Sequence, residues 1–295
     1  MKFFAAIKKY MALNTAQKQF IKLKKRKFLM PHKEIIAFLE PMATFDFECD
    51  EAINQLFKIN LTAFLLLCSS TFITGVSIEA AAVIGLISFL TLAAGIFCRI
   101  ILGRINIHNS LRDFVLPLVS TFGEDADPQK QMQLSLDLSG KLLTTKLTSR
   151  KKDDPGWFSY PKVTTSIYND YWFILQVSLV DGSQIHLSIH DRITSRAKTY
   201  KAISGKIKSK TKDKCKQFIK ATVSVRNKSY GEADARQLQI SCDRFKTKDG
   251  QNRKAFTLTR INSFYESDKY PQPSECLELI GKVFMNVNPA KSKGA

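Results

Sequence analysis

The sequence predicts a membrane-anchored α+β protein. A two-helix transmembrane hairpin is followed by a mostly antiparallel β domain with a C-terminal helix: a sandwich, an open barrel, or a sheet covered by that last helix. Three observations carry this expectation. Residues 59–76 and 80–98 are apolar runs of 18 and 19 residues without a charge, linked only by Ser77-Ile78-Glu79. From residue 129 onward the apolar positions recur at every second residue. Pro273 then opens a last segment with helical spacing.

A helix needs roughly 20 apolar residues to cross a hydrocarbon core of about 30 Å, and each run approaches that length. The three-residue link turns the chain around, so both flanks fall on one side. The runs are apolar on every face, unlike the one-sided stripe of a soluble helix. The alternative is a buried pair of core helices. The hydroxyls and amides of the first run (Asn60, Thr62, Ser69, Ser70, Thr71, Thr74) suit the faces on which membrane helices meet. Ala81 and Gly85 let the second helix approach closely, and Arg99 reaches headgroups from its end. Almost sixty residues precede the first run, so neither run reads as a secretory signal.

Basic residues set the orientation. Residues 1–33 contain ten Lys or Arg and no acid, Arg99 and Arg104 flank the second exit, and the turn carries only Glu79. Basic flanks stay in the cytoplasm, so both termini are expected there, at a plasma membrane or a bacterial inner membrane. The six cysteines (49, 68, 98, 215, 242, 276) then lie in lipid or a reducing compartment, form no Cys-x-x-Cys pair and are expected to be free. The sequons at Asn60 and Asn227 are expected to stay unmodified in that topology.

Four segments follow. Residues 1–58 form a basic arm and an acidic juxtamembrane link. Residues 59–102 are the hairpin, 103–128 a helical connector, and 129–295 a basic cytoplasmic β domain. Residues 3–29 read as an amphipathic helix, kinked or split at Asn14-Thr15, with Phe3, Ile7, Tyr10, Met11, Ala16, Phe20 and Leu23 on its apolar side. Such a helix lies at a membrane surface, with Lys8, Lys9, Lys18, Lys22, Lys24, Lys25, Arg26 and Lys27 toward anionic headgroups. A solvated tail that only enforces topology is the plainer alternative. Residues 35–39 suggest a short helix before Pro41. The acidic stretch 45–51 reads as a polar link, or as a partner for the basic domain.

Residues 105–122 look helical, and 123–128 break the chain. Met132, Leu134, Leu136 and Leu138 alternate with polar residues as in a half-buried strand. Ser139-Gly140 turns into a second strand through Leu143, Thr145 and Leu147. The stretches 172–179 and 184–190 flank Asp181-Gly182, a short hairpin signal. Further strands are expected at 219–225, 238–242 and 255–261, making six or seven, and a helix from 274 to about 287 with Leu277, Ile280 and Phe284 inward.

The strongest functional pattern is a comb of lysines, Lys206, Lys208, Lys210, Lys212, Lys214 and Lys216. On an extended chain alternate residues share one side, about 6.6 Å apart; on a helix they would scatter. Arg192 and Arg196, with Lys198 and Lys201, enlarge the patch. A row of like charges needs an anionic counterpart: lipid headgroups, nucleic-acid phosphate or an acidic protein. The plainer reading is an edge strand whose lysines deter pairing with other chains. Net charge is +19, and residues 105–295 carry 32 bases against 19 acids. Aromatics are not interleaved with the comb in sequence, which argues against single-strand binding.

Catalytic signatures are absent. His186 and His190 share a strand face about 13 Å apart at ~3.3 Å per residue, too far for one metal. Ser204-Gly205-Lys206 has Tyr200 where a phosphate loop needs glycine. Asp153-Asp154 reads as part of a turn before Pro155-Gly156. Trp157, Tyr160, Tyr168, Tyr171 and Trp172 form an aromatic group, read as core or as a groove lining. The expectation is therefore a non-enzymatic membrane protein binding an anionic partner as adaptor, scaffold or sensor, without cofactor or metal. The alternatives are a structural subunit of a larger membrane assembly, joined as a homo- or hetero-oligomer through the hairpin, and a membrane-bound enzyme.

Overall fold

The computed structural model describes residues 2–70, 78–153, 156, 159–227, 230–233, 235–240, 242–265 and 269–289. The chain divides into two compact units, residues 1–23 with 36–116, and residues 24–35 with 117–295. It opens with helices α1 (Lys2–Ala12) and α2 (Thr15–Leu23), strand β1 (Lys25–Met30), and the long helices α3 (His32–Ser70) and α4 (Ile78–Ile105). A π-helical turn (Leu111–Val115) leads into α5 (Leu116–Glu124). Strands β2 (Met132–Asp137), β3 (Leu147–Asp153), β4 (Lys162–Ser178), β5 (Gln184–Lys201), β6 (Ile207–Arg226) and β7 (Tyr230–Ala233) follow. The chain closes with helix α6 (Ala235–Ile240), strands β8 (Arg244–Asp249) and β9 (Arg253–Phe264), helix α7 (Pro273–Asn286) and strand β10 (Val287–Pro289).

In the helical unit, the arm is two helices where one kinked helix was the other option. Asn14 starts α2 with a reciprocal cap. Its side chain accepts from the Gln17 amide at 2.8 Å, and Gln17 Oε1 accepts from the Asn14 amide at 2.9 Å. The expected apolar stripe divides: Phe20 is buried, whereas Met11 and Leu23 are exposed. Phe20 meets Phe38 edge-on, and Tyr10 packs on Phe45. The short helix expected at 35–39 is instead part of α3, 39 residues long with Pro41 inside it. A proline there removes one helical hydrogen bond; Gln17 donates to the nearby Phe38 carbonyl at 2.9 Å.

The acidic stretch 45–51 is helical and not a free link. Residues four apart share a helix face, and Asp46 and Asp50 both accept from Arg112 at 3.2 and 3.3 Å. Glu48 and Glu51 take the side toward α1, pairing with Lys9 at 3.1 Å and Lys2 at 2.6 Å. The acids are thus matched inside their own unit. The helix expected over 105–122 is interrupted at 106–110 and resumes through the π-helical turn.

Helices α3 and α4 pack antiparallel. Cys49 Sγ donates to the Leu102 carbonyl at 3.6 Å, and Asn106 donates to Asp50 at 2.9 Å. Further along, a Cβ at Gly95 would overlap the Asn60 carboxamide, and one at Gly85 would touch Ser70 and Leu67. Gly85 thus has the close approach its sequence suggested, and Gly95 has a tighter one. Residues 71–77, with Thr71, Thr74 and the start of the expected link, lie outside the described residues. Both helices are long and apolar enough to cross a membrane, and only 22% and 11% of their most apolar stretches are buried. Phe64, Leu65, Leu66, Leu86, Ile87, Phe89, Leu90 and Phe97 point outward. A patch of that kind is foreign to a water-soluble surface.

In the second unit, eight strands form one antiparallel sheet in the order β1-β2-β4-β5-β6-β9-β8, with β3 beside the first half of β4. The end strands β1 and β8 do not meet, so the domain is an open sheet and not a sandwich or a barrel. The basic segment 25–30, expected as helix, is an edge strand paired with β2 from Lys25↔Asp137 to Met30↔Met132. Lys24, at φ 54°, adopts the left-handed turn that stops α2 and redirects the chain. The second strand expected through Leu143 is replaced by a short 3₁₀ turn (Thr144–Lys146), with Leu142 and Leu143 exposed; the strand itself is 147–153.

Strands β4, β5 and β6 form the spine, 17, 18 and 20 residues long. Their inner face buries Phe173, Leu175, Ile185, Leu187, Ile189, Ile219, Ala221 and Val223. The β4–β5 turn places Gly182 at φ 83°, which glycine adopts without strain. Residues 235–240 are helix where a strand was expected, and the strand follows at 244–249. Helix α7 starts with Pro273 behind a reciprocal Gln272–Glu275 cap and packs on β6 and β9. Its buried side chains are Cys276, Leu279, Ile280 and Val283, so the inner stripe is rotated from the expected Leu277 and Phe284. None of the six cysteines is in a disulfide.

Candidate anion-binding face

The comb is extended. Residues 207–226 form β6, and the β5–β6 ladder runs from Gln184↔Ser224 to Lys201↔Ile207 without a register shift. An unbroken antiparallel ladder keeps paired residues on one face. Arg192 therefore stands beside Lys216, Thr194 beside Lys214, Arg196 beside Lys212, Lys198 beside Lys210 and Tyr200 beside Lys208. Lys206 lies in the turn before the strand, where its carbonyl accepts from the Ala202 amide at 2.8 Å. Gly205, at φ 77°, makes that turn.

From Lys208 to Lys216 the track is about 27 Å long at ~3.3 Å per residue. Arg196, Lys198, Tyr200, Lys210 and Lys212 line a groove of about 390 Å³. The ladders to β9 and β8 extend the same face: Lys220 stands beside Thr259 and Arg244, and Thr222 beside Thr257 and Lys246. Among the described residues, this face of β5, β6, β8 and β9 carries no carboxylate at all. On the opposite face Asp191 pairs with Lys141 at 2.6 Å and Asp249 with Lys254 at 3.4 Å. The cations lie on the open side of the sheet, away from α7, where no described carboxylate neutralises them.

The comb is also partly an edge. Strand β9 stops pairing at Cys215, so residues 207–214 bond only to β5.

Not all predicted cations come together. Lys8 and Lys9 are on α1, Lys18 and Lys22 on α2, but Lys25, Arg26 and Lys27 are sheet residues. Lys9 pairs with Glu48, and Lys25 with Asp137 at 3.2 Å. The eight basic residues expected on one amphipathic helix therefore do not share one, because Lys24 ends the helical run.

A row of rings beside the comb was not foreseen. Tyr171 stacks on His190 at 4.8 Å between centroids, and His190 on Phe218 at 4.5 Å with ring planes 3° apart. The three come from β4, β5 and β6. Strand β4 carries a bulge beside the row: between Asp170↔Asp191 and Phe173↔Ile189, two residues oppose one. Tyr171 follows Asn169 on the outer face and is 61% exposed, while the extra residue, Trp172, is buried. Burial, with Lys220 nearby, lowers the pKa of His190, which favours a neutral ring. The row lines a groove of about 480 Å³ with Arg192, Lys220, Arg244 and Lys246. Of the other aromatics, Tyr168 is half-buried and Trp157 lies outside the described residues. His186 contacts Gln176 at 3.1 Å.

A buried ion network was also unforeseen. Lys146 lies 2.7 Å from Asp170 and 3.2 Å from Asp137; Lys141 lies 2.6 Å from Asp191. Asp170 and Asp191 are paired residues on the inner face. The sequence held one signal for it, since Asp191 interrupts the inward series Ile185, Leu187, Ile189, Ile193. Burial pushes the Asp170 carboxyl up to about 6 and the neighbouring Cys215 thiol up to about 12. The network pins the 138–146 segment to the middle of the sheet. Among the described residues, no three His, Cys, Asp or Glu side chains converge as metal ligands.

No family model matches the chain, and comparisons with curated proteins and with solved structures give no significant match.

Proposed function

We propose that this chain is an integral membrane protein whose α3–α4 pair crosses the bilayer as a hairpin and whose sheet presents a basic face to an anionic partner. It acts there as an adaptor, scaffold or sensor and not as an enzyme. The observation that carries the reading is the acid-free face of β5, β6, β8 and β9, continuous with the lysine comb. Accumulated positive charge of this kind opposes folding by self-repulsion, and an anionic partner offsets that repulsion.

The membrane part rests on outward-facing apolar side chains and on sheet pairing. Strand β1 precedes the helix pair, β2 follows it, and the two are hydrogen-bonded. A membrane crossing between them must then be even in number, which supports a hairpin. The basic flanks favour the cytoplasmic side.

One competing reading has an observation in its favour. Residues 207–214 are an unpaired edge, where lysines deter strand addition. It predicts no affinity for polyanions.

The test uses the full-length protein in a neutral detergent, with heparin as the polyanion over a salt series. Binding at low salt is expected, with log affinity falling linearly in log salt. No binding at about 50 mM salt, where screening reaches only ~14 Å, refutes the polyanion reading. Membrane residence is read separately, by sedimentation of an alkaline-washed membrane fraction. Release of the chain into the supernatant refutes the hairpin.

A further inference from the structure

The acid-free face has two parts of different character. One is a linear track of cations on β5 and β6. The other is the ring row of Tyr171, His190 and Phe218, which stands where that track meets the wider sheet. Lys216 and Phe218 are two residues apart on β6, as are Arg192 and His190 on β5, so the cations lead directly into the rings.

A phosphate chain alone needs only the cations, and a bilayer surface needs a broad, convex or flat contact. Neither needs three aligned rings standing in a groove. Three stacked rings leave ring faces only at the two ends of the row, and Tyr171 at one end is 61% exposed. A planar group added there continues an existing stack. Arg244, Lys246 and Lys220 bound the groove beside Phe218. Rings next to a cationic track match a ligand that alternates planar bases with phosphates and has its bases free. In a duplex the base faces are already stacked and out of reach.

Resting on the polyanion reading above, we infer that this face binds single-stranded nucleic acid, with phosphates along the comb and bases stacked at Tyr171 and Phe218. The comb supplies attraction independent of sequence, and the row supplies the preference for unpaired bases. In the amino-acid sequence Phe218 follows Lys216 by two residues, and the register of β4, β5 and β6 brings His190 and Tyr171 beside it.

The test titrates the full-length protein in neutral detergent with four probes. These are oligothymidylate of about 12 nucleotides, within the span one such site covers, an abasic oligomer of equal length, the corresponding duplex, and phosphatidylserine vesicles. The base-bearing single strand should bind about tenfold or more tightly than the abasic one, since stacking is worth a factor of that order per base. Tyr171→Ala and Phe218→Ala should remove this excess and leave the salt slope unchanged, and Tyr171→Phe should keep it. Tyr171 is exposed, so its variants test the inference even if Phe218→Ala misfolds. Equal affinity for abasic and base-bearing strands overturns the inference, as does affinity unmoved by Tyr171→Ala, or tighter binding to duplex or vesicles; each leaves the polyanion reading standing. Failure to bind any of the four overturns both.

Discussion

Asp170→Asn should stabilise the protein at neutral pH, although Asp170 sits 2.7 Å from a lysine. The carboxyl is 2% exposed and faces Asp191 across the inner side of the sheet. Burial, seconded by Asp137 and Asp191, outweighs Lys146 and pushes it up to about 6. In the unfolded chain an aspartate titrates near 3.9. The folded state therefore holds a proton that the unfolded state has lost between about pH 4 and pH 6. Stability falls as pH rises through that window. A gap of roughly two units at 1.36 kcal/mol each amounts to about 3 kcal/mol of cost at pH 7.

Asparagine carries no such cost, and Lys146 keeps Asp137 at 3.2 Å as its counter-ion. The variant should gain up to about 3 kcal/mol at pH 7 and almost nothing near pH 4. Urea unfolding in neutral detergent, followed by tryptophan fluorescence, reads this out. Trp172 belongs to the sheet unit and is buried two residues from the substitution. A variant less stable than the parent at pH 7 would show that Lys146 stabilises the Asp170 carboxylate by more than burial costs it, and would refute the reasoning. A parent without declining stability between pH 4 and pH 6 would do the same.

Three further outcomes are expected. Phe173→Ala, at a fully buried position on the inner face, should cost about 3–5 kcal/mol in the same urea assay. Gly95→Ala should lower the thermal midpoint in detergent by forcing α4 off Asn60, and Asn60→Ala in the same chain should restore most of the loss; an unchanged midpoint for the single variant would mean the helices are not in contact there. Replacing Lys210, Lys212 and Lys214 together by Gln should lower the salt slope of polyanion binding by about 0.7–0.9 for each phosphate no longer neutralised, and an unaltered slope would place the anion elsewhere.

The spine of the sheet was legible because burial and spacing agree there. Ile185, Leu187 and Ile189 alternate with polar residues and are indeed buried on one face, as are Ile219, Ala221, Val223 and Val225. The extended comb was legible for the same reason. Residues 238–242 misled because alternation does not guarantee burial: Leu238 is buried, but Ile240 is 87% exposed at the end of a short helix. Strand β1 was hidden because Lys25–Met30 buries little more than Phe28, and its partner strand lies beyond both long helices. The ring row was hidden more deeply. It depends on the register of three strands, which no local pattern marks.

The pairing of β1 with β2 makes the apolar helices a parenthesis inside the sheet's own sequence. During synthesis, Lys25–Met30 must wait without a partner until Met132–Asp137 has been made. For that interval Phe28 stands bare on the nascent chain, a state prone to clumping. The same dependence reaches the bench: a fragment begun downstream of the helices leaves the β2 rim open beside Leu134 and Leu136, and a peptide spanning residues 24–35 added back should close it.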